Sequence, residues 1–292
     1  MKSLGFLVIL STLAPAQALP EQALESKLAA RVKALDESLS GVLGVAAIDL
    51  SSGSVIQYNG NTVFPQASSI KIPVLMQVYR SARAGKLRLD QPVSLEKKDI
   101  VGGSGHLKIL LRSQSLTVTV RELATAMIET SDNTATNKLI AMVGMDPVNE
   151  LLGQLGFKET KLQRQMLDSK ASAENRENIS TPLEMARLAE LLYQGKAIDA
   201  DASKEMIEML KLVDANFRAS IPDNVAVASK PGELNGVRAE TGIVFVRNRP
   251  FVLSVMSTYL DPGVNPVPAV ARMFYEHFEK LARSNRYGNK LQ

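Results

Sequence analysis

The feature that most constrains this chain is where its strand-forming segments lie. Residues 44–50 and 55–58, apolar and β-branched around a Ser51-Ser52-Gly53-Ser54 turn, read as a hairpin near one end. Three further apolar runs, 225–229, 242–246 and 251–256, lie near the other end, and residues 66–215 between them are almost wholly helical in periodicity. Short strands cannot bury their apolar faces alone, so the two groups must meet in one sheet. The expected class is therefore α+β. A five-stranded antiparallel sheet (residues 19–65 and 216–292) is covered by N- and C-terminal helices, and an all-helical lobe (66–215) is inserted between its second and third strands. A cleft between the lobes is the expected ligand site.

Within the helical block, periodic segments span 69–84, 118–129, 134–143, 147–155, 182–193 and 202–212, with Asp146 and Thr181 as caps. Flanking the sheet segments, Leu24, Leu28, Val32, Leu35 and Leu39 mark a first helix. Residues 267–282 form a last one, with Val270, Met273, Phe274, Phe278 and Leu281 on one face.

At the junction from the sheet segments to the helices stands Ser68, with Lys71 one helical turn on. A serine needs a base to become a nucleophile, and a lysine serves if burial or neighbouring positive charge lowers its pKa. Ser94 and Lys97 share the spacing but lie in a polar stretch, whereas Ile70, Ile72, Val74 and Leu75 can shelter Lys71 from water. Other nucleophilic chemistry is scarce. The chain has no cysteine and only His106 and His277, which argues against disulfides, thiolate or histidine-rich metal sites and a Ser-His-Asp triad. His277 falls in the last amphipathic helix, where a surface or packing role is expected. A net charge of +4 without a basic run does not call for nucleic acid.

The start of the chain, Met1-Lys2, an apolar run from Leu4 to Leu10 and Ala16-Gln17-Ala18, reads as a secretory signal peptide cut after Ala18. The remainder, 19–292, is one catalytic domain. It is expected in the periplasm or outside the cell without stable membrane insertion, and as a monomer, since no apolar stripe is left over once the core is assigned.

Three polar clusters remain. Residues 130–136 break two helices around Ser131, Asp132 and Asn133. Lys230-Pro231-Gly232 ends an apolar strand expected at the middle or inner edge of the sheet, where the glycine permits close approach of a ligand backbone. Residues 161–180 are polar and aperiodic, as functional loops are.

Taken together, Ser68-x-x-Lys71, Ser131-Asp132-Asn133 and Lys230-x-Gly232 resemble the motif set of the penicillin-recognising serine enzymes. The chain resembles the class A β-lactamase family over essentially all of residues 19–292. Phe64-Pro65, Thr134-Ala135-Thr136-Asn137 and Ser180-Thr181-Pro182 add to the match. The resemblance implies that Ser68 is acylated by β-lactams or D-Ala-D-Ala peptides, with Lys71 as proton acceptor and Ser131 as proton relay to the leaving nitrogen. It implies an oxyanion hole from the backbone N–H groups of Ser68 and Glu233, and substrate contacts from Asn133, Lys230 and Gly232. No metal or organic cofactor is implied. Asp132 is expected to tie the helix junction together.

Three positions depart from the family pattern. The loop glutamate that activates the deacylating water should stand two residues after Arg164, where this chain has Met166; Asp168 is the nearest carboxylate, and Lys170 replaces a loop asparagine. Pro231 replaces a hydroxyl residue. The carboxylate-binding arginine falls near Thr241, with Arg238 as its substitute. A glutamate-lacking, D,D-peptidase-like enzyme with slow deacylation is the first expectation, a working β-lactamase the second, and a non-catalytic binding protein of the same fold the third.

Overall fold

The computed structural model describes residues 20–291, so the signal-peptide assignment lies outside the described residues. Among the described residues no helix is long and apolar enough to cross a membrane.

Helix α1 (Pro20–Glu37) leads into strands β1 (Val42–Asp49) and β2 (Val55–Tyr58). Short β3 (Phe64–Pro65) and a 3-10 turn (Ala67–Ile70) carry the chain into α2 (Lys71–Arg83). The inserted lobe comprises β4 (Pro92–Leu95), α3 (Leu107–Leu110), β5 (Leu116–Thr119), α4 (Val120–Glu129), α5 (Asn133–Val143), α6 (Met145–Gln154), α7 (Ser169–Ala173), β6 (Ile179–Ser180), α8 (Pro182–Tyr193) and α9 (Ala200–Lys211). Then α10 (Asn216–Ser220), β7 (Val227–Leu234), β8 (Val237–Val244), β9 (Phe251–Thr258) and α11 (Val267–Ala282) complete the fold.

The five-stranded antiparallel sheet has the order β2-β1-β9-β8-β7, so the two ends of the chain meet at the β1–β9 ladder, where Val45 pairs with Val255. One sheet face packs Val45, Leu253 and Val255 against Leu28 and Val32 of α1 and Val270, Phe274 and Phe278 of α11. The helical lobe has its own core, in which α2 is central through Ile72, Leu75, Val78 and Tyr79. Burying one such side chain contributes roughly 1.5–3 kcal/mol.

The structure departs from the sequence-based expectation in places. Strands β7 and β8 run several residues past the expected 225–229 and start before 242, turning at Asn235-Gly236, where Gly236 has φ +70°. Pro231 and the charges of 230–240 mask this hairpin. Because β7 is an edge strand and not a middle one, a proline with no N–H is tolerated in it. Two small ladders also form outside the main sheet: β4–β5 within the helical block, and β3–β6 joining Phe64-Pro65 to its later half. Gly144 and not Asp146 caps α6; its φ of +83° ends α5 and opens α6 at one corner, leaving Asp146 in the first turn, where its charge suits the helix dipole. Thr181 caps α8 as expected, its side chain accepting from Glu184 N–H.

Candidate active site

Three segments converge where the lobes meet, and backbone geometry sets each. Ser68 lies in the 3-10 turn after Ala67, whose φ is +46°, and Ser131 has φ +55° between α4 and α5. Left-handed conformations at residues other than glycine cost of order 1–3 kcal/mol each and gather at functional sites. Strand β7 brings the third segment. A Cβ on Gly232 would collide with the carbonyl oxygen of Gln66 and sit 2.9 Å from the Ser68 nitrogen and 3.0 Å from that of Ser69. The close approach that Gly232 permits is thus to the turn carrying Ser68. It places the backbone of Gly232-Glu233 beside the Ser68 N–H, the arrangement that a paired oxyanion-binding site requires.

Lys71 is wholly buried at the base of this site. Its Nζ lies within hydrogen-bond distance of the Ser131 carbonyl (2.7 Å), Ser131 Oγ (2.9 Å) and Asn133 Oδ1 (2.9 Å), so the first two motifs are physically joined. Burial drives its pKa well below the ordinary lysine value and the charge of Lys230 lowers it further, against a smaller upward pull from Asp132. Lys230 is equally buried, with Nζ lacking a hydrogen-bond partner among the described residues. Burial brings its pKa down to about 7, opposed by Glu240. Lys230 does not end the strand as expected but lies inside β7, where the sheet encloses it.

The junction residues act as expected of capping groups. Asp132 Oδ1 accepts from Ala135 N–H to cap α5, and Oδ2 accepts from Leu107 N–H at the start of α3. Asn133 Nδ2 donates to the Gly102 carbonyl at 3.0 Å, and Asn133 N–H to that of Ser104. Sequence reasoning does not single out this Gly102-Gly103-Ser104-Gly105 wall, although its glycine density is a signal.

Two expected substrate-binding residues sit differently. Thr241 pairs directly with Lys230 across the β7–β8 ladder, but its hydroxyl is engaged with Ser254 Oγ at 2.8 Å. Arg238 lies three rungs further along, near the hairpin tip. Its guanidinium binds the Glu233 carboxylate at 2.9 Å and the carbonyls of Leu234 and Val237. The structure does not bring Arg238 to Lys230.

Residues 161–180 form a loop with joined ends, since Lys161 and Ile179 exchange backbone hydrogen bonds. Arg164 is bound by Glu177 at 2.7 Å, and the Asn178 side chain accepts from the N–H groups of Gln163 and Arg164. Gln66, two residues before Ser68, donates to the Asn178 and Ile179 carbonyls, tying the loop to the Ser68 turn. Met166 is pinned by Asn137, which accepts from its N–H at 2.8 Å and donates to its carbonyl at 3.2 Å. Its thioether joins the core of the helical lobe, with 7% of the residue exposed. Asp168 is spent as the cap of α7, accepting from Ala171 N–H at 2.9 Å. His277, the histidine expected to pack or lie at the surface, packs edge-on against Phe278 in α11, remote from this constellation in sequence and layer.

Comparison with known proteins agrees with this geometry. Residues 27–278 match the model of the beta-lactamase enzyme family. The chain is 31% identical to the β-lactamase CTX-M-97 of Escherichia coli over 231 residues, 76% of this chain and 78% of that protein. Its fold is similar to the β-lactamase of Sphaerobacter thermophilus, with TM-score 0.79 and 29% identity over 88% of this chain and 97% of that one. It is also similar to PBP-A, with TM-score 0.78 and 25% identity over 92% and 100%; a mutant of PBP-A is known as an acyl-enzyme complex with penicillin G. With Lys71 buried one helical turn beyond a partly exposed Ser68, the β-lactamase/transpeptidase-like fold and a match over most of its length, the chain belongs to the class A β-lactamase family and is a serine hydrolase.

Proposed function

We propose that this is an exported enzyme that is acylated at Ser68 by β-lactams and by D-Ala-D-Ala peptides of the cell wall and releases the acyl group slowly, in the manner of a D,D-peptidase. Neutral Lys71 takes the Ser68 proton as Oγ attacks the carbonyl carbon, directly or through water. The N–H groups of Ser68 and Glu233 bind the oxyanion, each worth roughly 3 kcal/mol in the transition state. Ser131, hydrogen-bonded to Lys71, passes the proton to the leaving nitrogen as the C–N bond breaks. Lys230 faces the substrate carboxylate and Asn133 its amide side chain; Arg238, held by Glu233, is a weaker candidate for the carboxylate than Lys230.

The observation that carries slow release is Met166. The loop is folded and tethered, but a thioether accepts no proton from water, and the nearby carboxylates Asp168 and Glu177 are committed to a helix cap and to Arg164. Cell-wall peptide as natural substrate fits the signal-peptide character of residues 1–18, and acylation by penicillins fits the similarity to PBP-A, a mutant of which forms an acyl-enzyme with penicillin G.

The test is to incubate the protein with a chromogenic β-lactam and follow colour and intact mass together. A stoichiometric burst with a long-lived adduct, absent in Ser68→Ala, is expected. Rapid steady turnover would instead mark a working β-lactamase, and no adduct at any time a binding protein.

A further inference from the structure

The acylation site contains two buried lysines, yet the carboxylate set against one of them lies on the opposite side of the sheet. Glu240 is fully buried on β8. Its register partner is Pro231, the neighbour of Lys230, while Lys230 itself pairs with Thr241. Side chains alternate along a strand, so Glu240 points away from the cleft and Lys230 into it. Three donors converge on the carboxylate: Ser229 Oγ at 2.7 Å and Phe217 N–H at 3.1 Å on Oε1, and Asn216 Nδ2 at 3.0 Å on Oε2. Asn216 is in turn oriented by Asn265 Nδ2 at 2.9 Å, ahead of α11. The Phe217 N–H and Asn216 Nδ2 can only donate, and the Ser229 hydroxyl donates as well, so the three hydrogen bonds favour the carboxylate against the opposing effect of burial.

We propose that Glu240 is a positioning residue that holds Lys230 in its ammonium form from behind the sheet, so that the cation facing the substrate depends on a side chain the substrate never touches. The other charged groups nearby do not take this part. Lys71 faces Lys230 from α2 and repels its charge, and Asp132, whose carboxylate is used at α3 and α5, acts on Lys71. Arg218 of α10 turns to the carbonyls of Lys211 and Val227, and Arg238 of β8 is held by Glu233. Burial favours the neutral amine of Lys230, and Glu240 is the charge that opposes it. Burial also raises the pKa of Glu240 itself, against the pull of its three donors and Lys230. The arrangement has a further mechanical consequence: through Ser229, the same carboxylate fixes the β7 residue next to Lys230.

This inference rests on acylation at Ser68 for its kinetic readout but not for its spectroscopic one. In Glu240→Gln the shape and most hydrogen bonds persist while the charge is lost. The alkaline limb of the second-order acylation rate with benzylpenicillin is expected to move down by about one pH unit, the lower end of what a neighbouring charge does. Glu240→Asp should return it toward the wild-type position. In protein with 13C at lysine Cε, the Lys230 resonance, assigned by its loss in Lys230→Arg, should titrate lower in Glu240→Gln by a similar amount. An unmoved Lys230 titration in a folded Glu240→Gln protein overturns the proposal, as does a loss of acylation uniform across pH. Should Glu240→Gln fail to fold, Ser229→Ala decides. It keeps the charge and removes one tether, so an unchanged Lys230 titration supports control by charge, and a shift as large as a unit refutes it. A wild-type protein that penicillin does not acylate would defeat the reading of function while leaving the titration to judge Glu240.

Discussion

The half of the site proposed to capture an acyl group and the half that would release it are built to different standards. Around Ser68, the polar groups given proposed roles are desolvated and close-packed. Lys71 is desolvated and set against Ser131, Gly232 is pressed onto the nucleophile turn, and Lys230 is buried with its amine unpartnered among the described residues. The 161–180 loop is as well tethered, through Arg164–Glu177, Asn178 and Asn137, yet it positions an apolar side chain at its centre. Tight structure is therefore no measure of catalytic competence. The loop is held for its shape, and the capture half is held for its charges.

Substitutions on each side test this contrast. Lys71→Ala should give the largest effect, lowering the acylation rate by about 10³-fold or more as the general base is lost, with the circular dichroism spectrum unchanged. Acylation at the wild-type rate would remove Lys71 from the role of base. Gly232→Ala comes next. Its methyl meets Gln66, Ser68 and Ser69 backbone, so β7 must retreat from the oxyanion position and acylation should fall by roughly 10²-fold. A structure of that variant with β7 unmoved and full activity would contradict the close approach of β7 to the nucleophile turn.

On the release side, Met166→Glu places a carboxylate in a loop already tethered. Deacylation of the penicillin adduct, followed by mass, should accelerate by about tenfold or more, a gain below the full general-base effect because the buried site is packed for a thioether. An unchanged adduct lifetime would mean that the loop lacks room for the water as well as the base. Glu177→Gln should lower stability by about 2 kcal/mol in a denaturant melt by stranding Arg164, while leaving acylation within a few-fold of wild type. A fall in acylation as great as that of Gly232→Ala would show that the two halves are one mechanical unit.

The smallest effect concerns pH. Lys230 titrates at about 7 when folded and near 10.5 when unfolded, so between these values the unfolded chain binds the extra proton and stability rises with pH. Relative to wild type, Lys230→Met should flatten the rise in melting temperature across that window by a few degrees, and parallel curves for the two proteins would refute the assignment.

Much of this is legible in the sequence because it depends on local chemistry. The Ser68/Lys71 spacing, the cap at Thr181 and the looped character of 161–180 follow from periodicity and residue type. The hairpin turning at Asn235-Gly236 is hidden because charged residues on an edge strand imitate a loop. The commitment of Arg238 to Glu233 and of Thr241 to Ser254 is hidden because each is decided by register between strands. Glu240 carries no signal at all: an acidic residue among Arg238, Ala239 and Thr241 looks solvated until the sheet and α10 enclose it.

The sheet closed from both termini also governs when the enzyme comes into being. Val45 must find Val255 across roughly two hundred intervening residues, and such distant pairings make folding slow. Gly232 and Lys230 lie beyond the whole helical lobe, so a nascent chain that already displays Ser68 and Lys71 has neither oxyanion site nor second cation. On the roles proposed for these residues, Ser68 would stay chemically dormant until β7 is in place, and its reactivity would be a property of the completed fold.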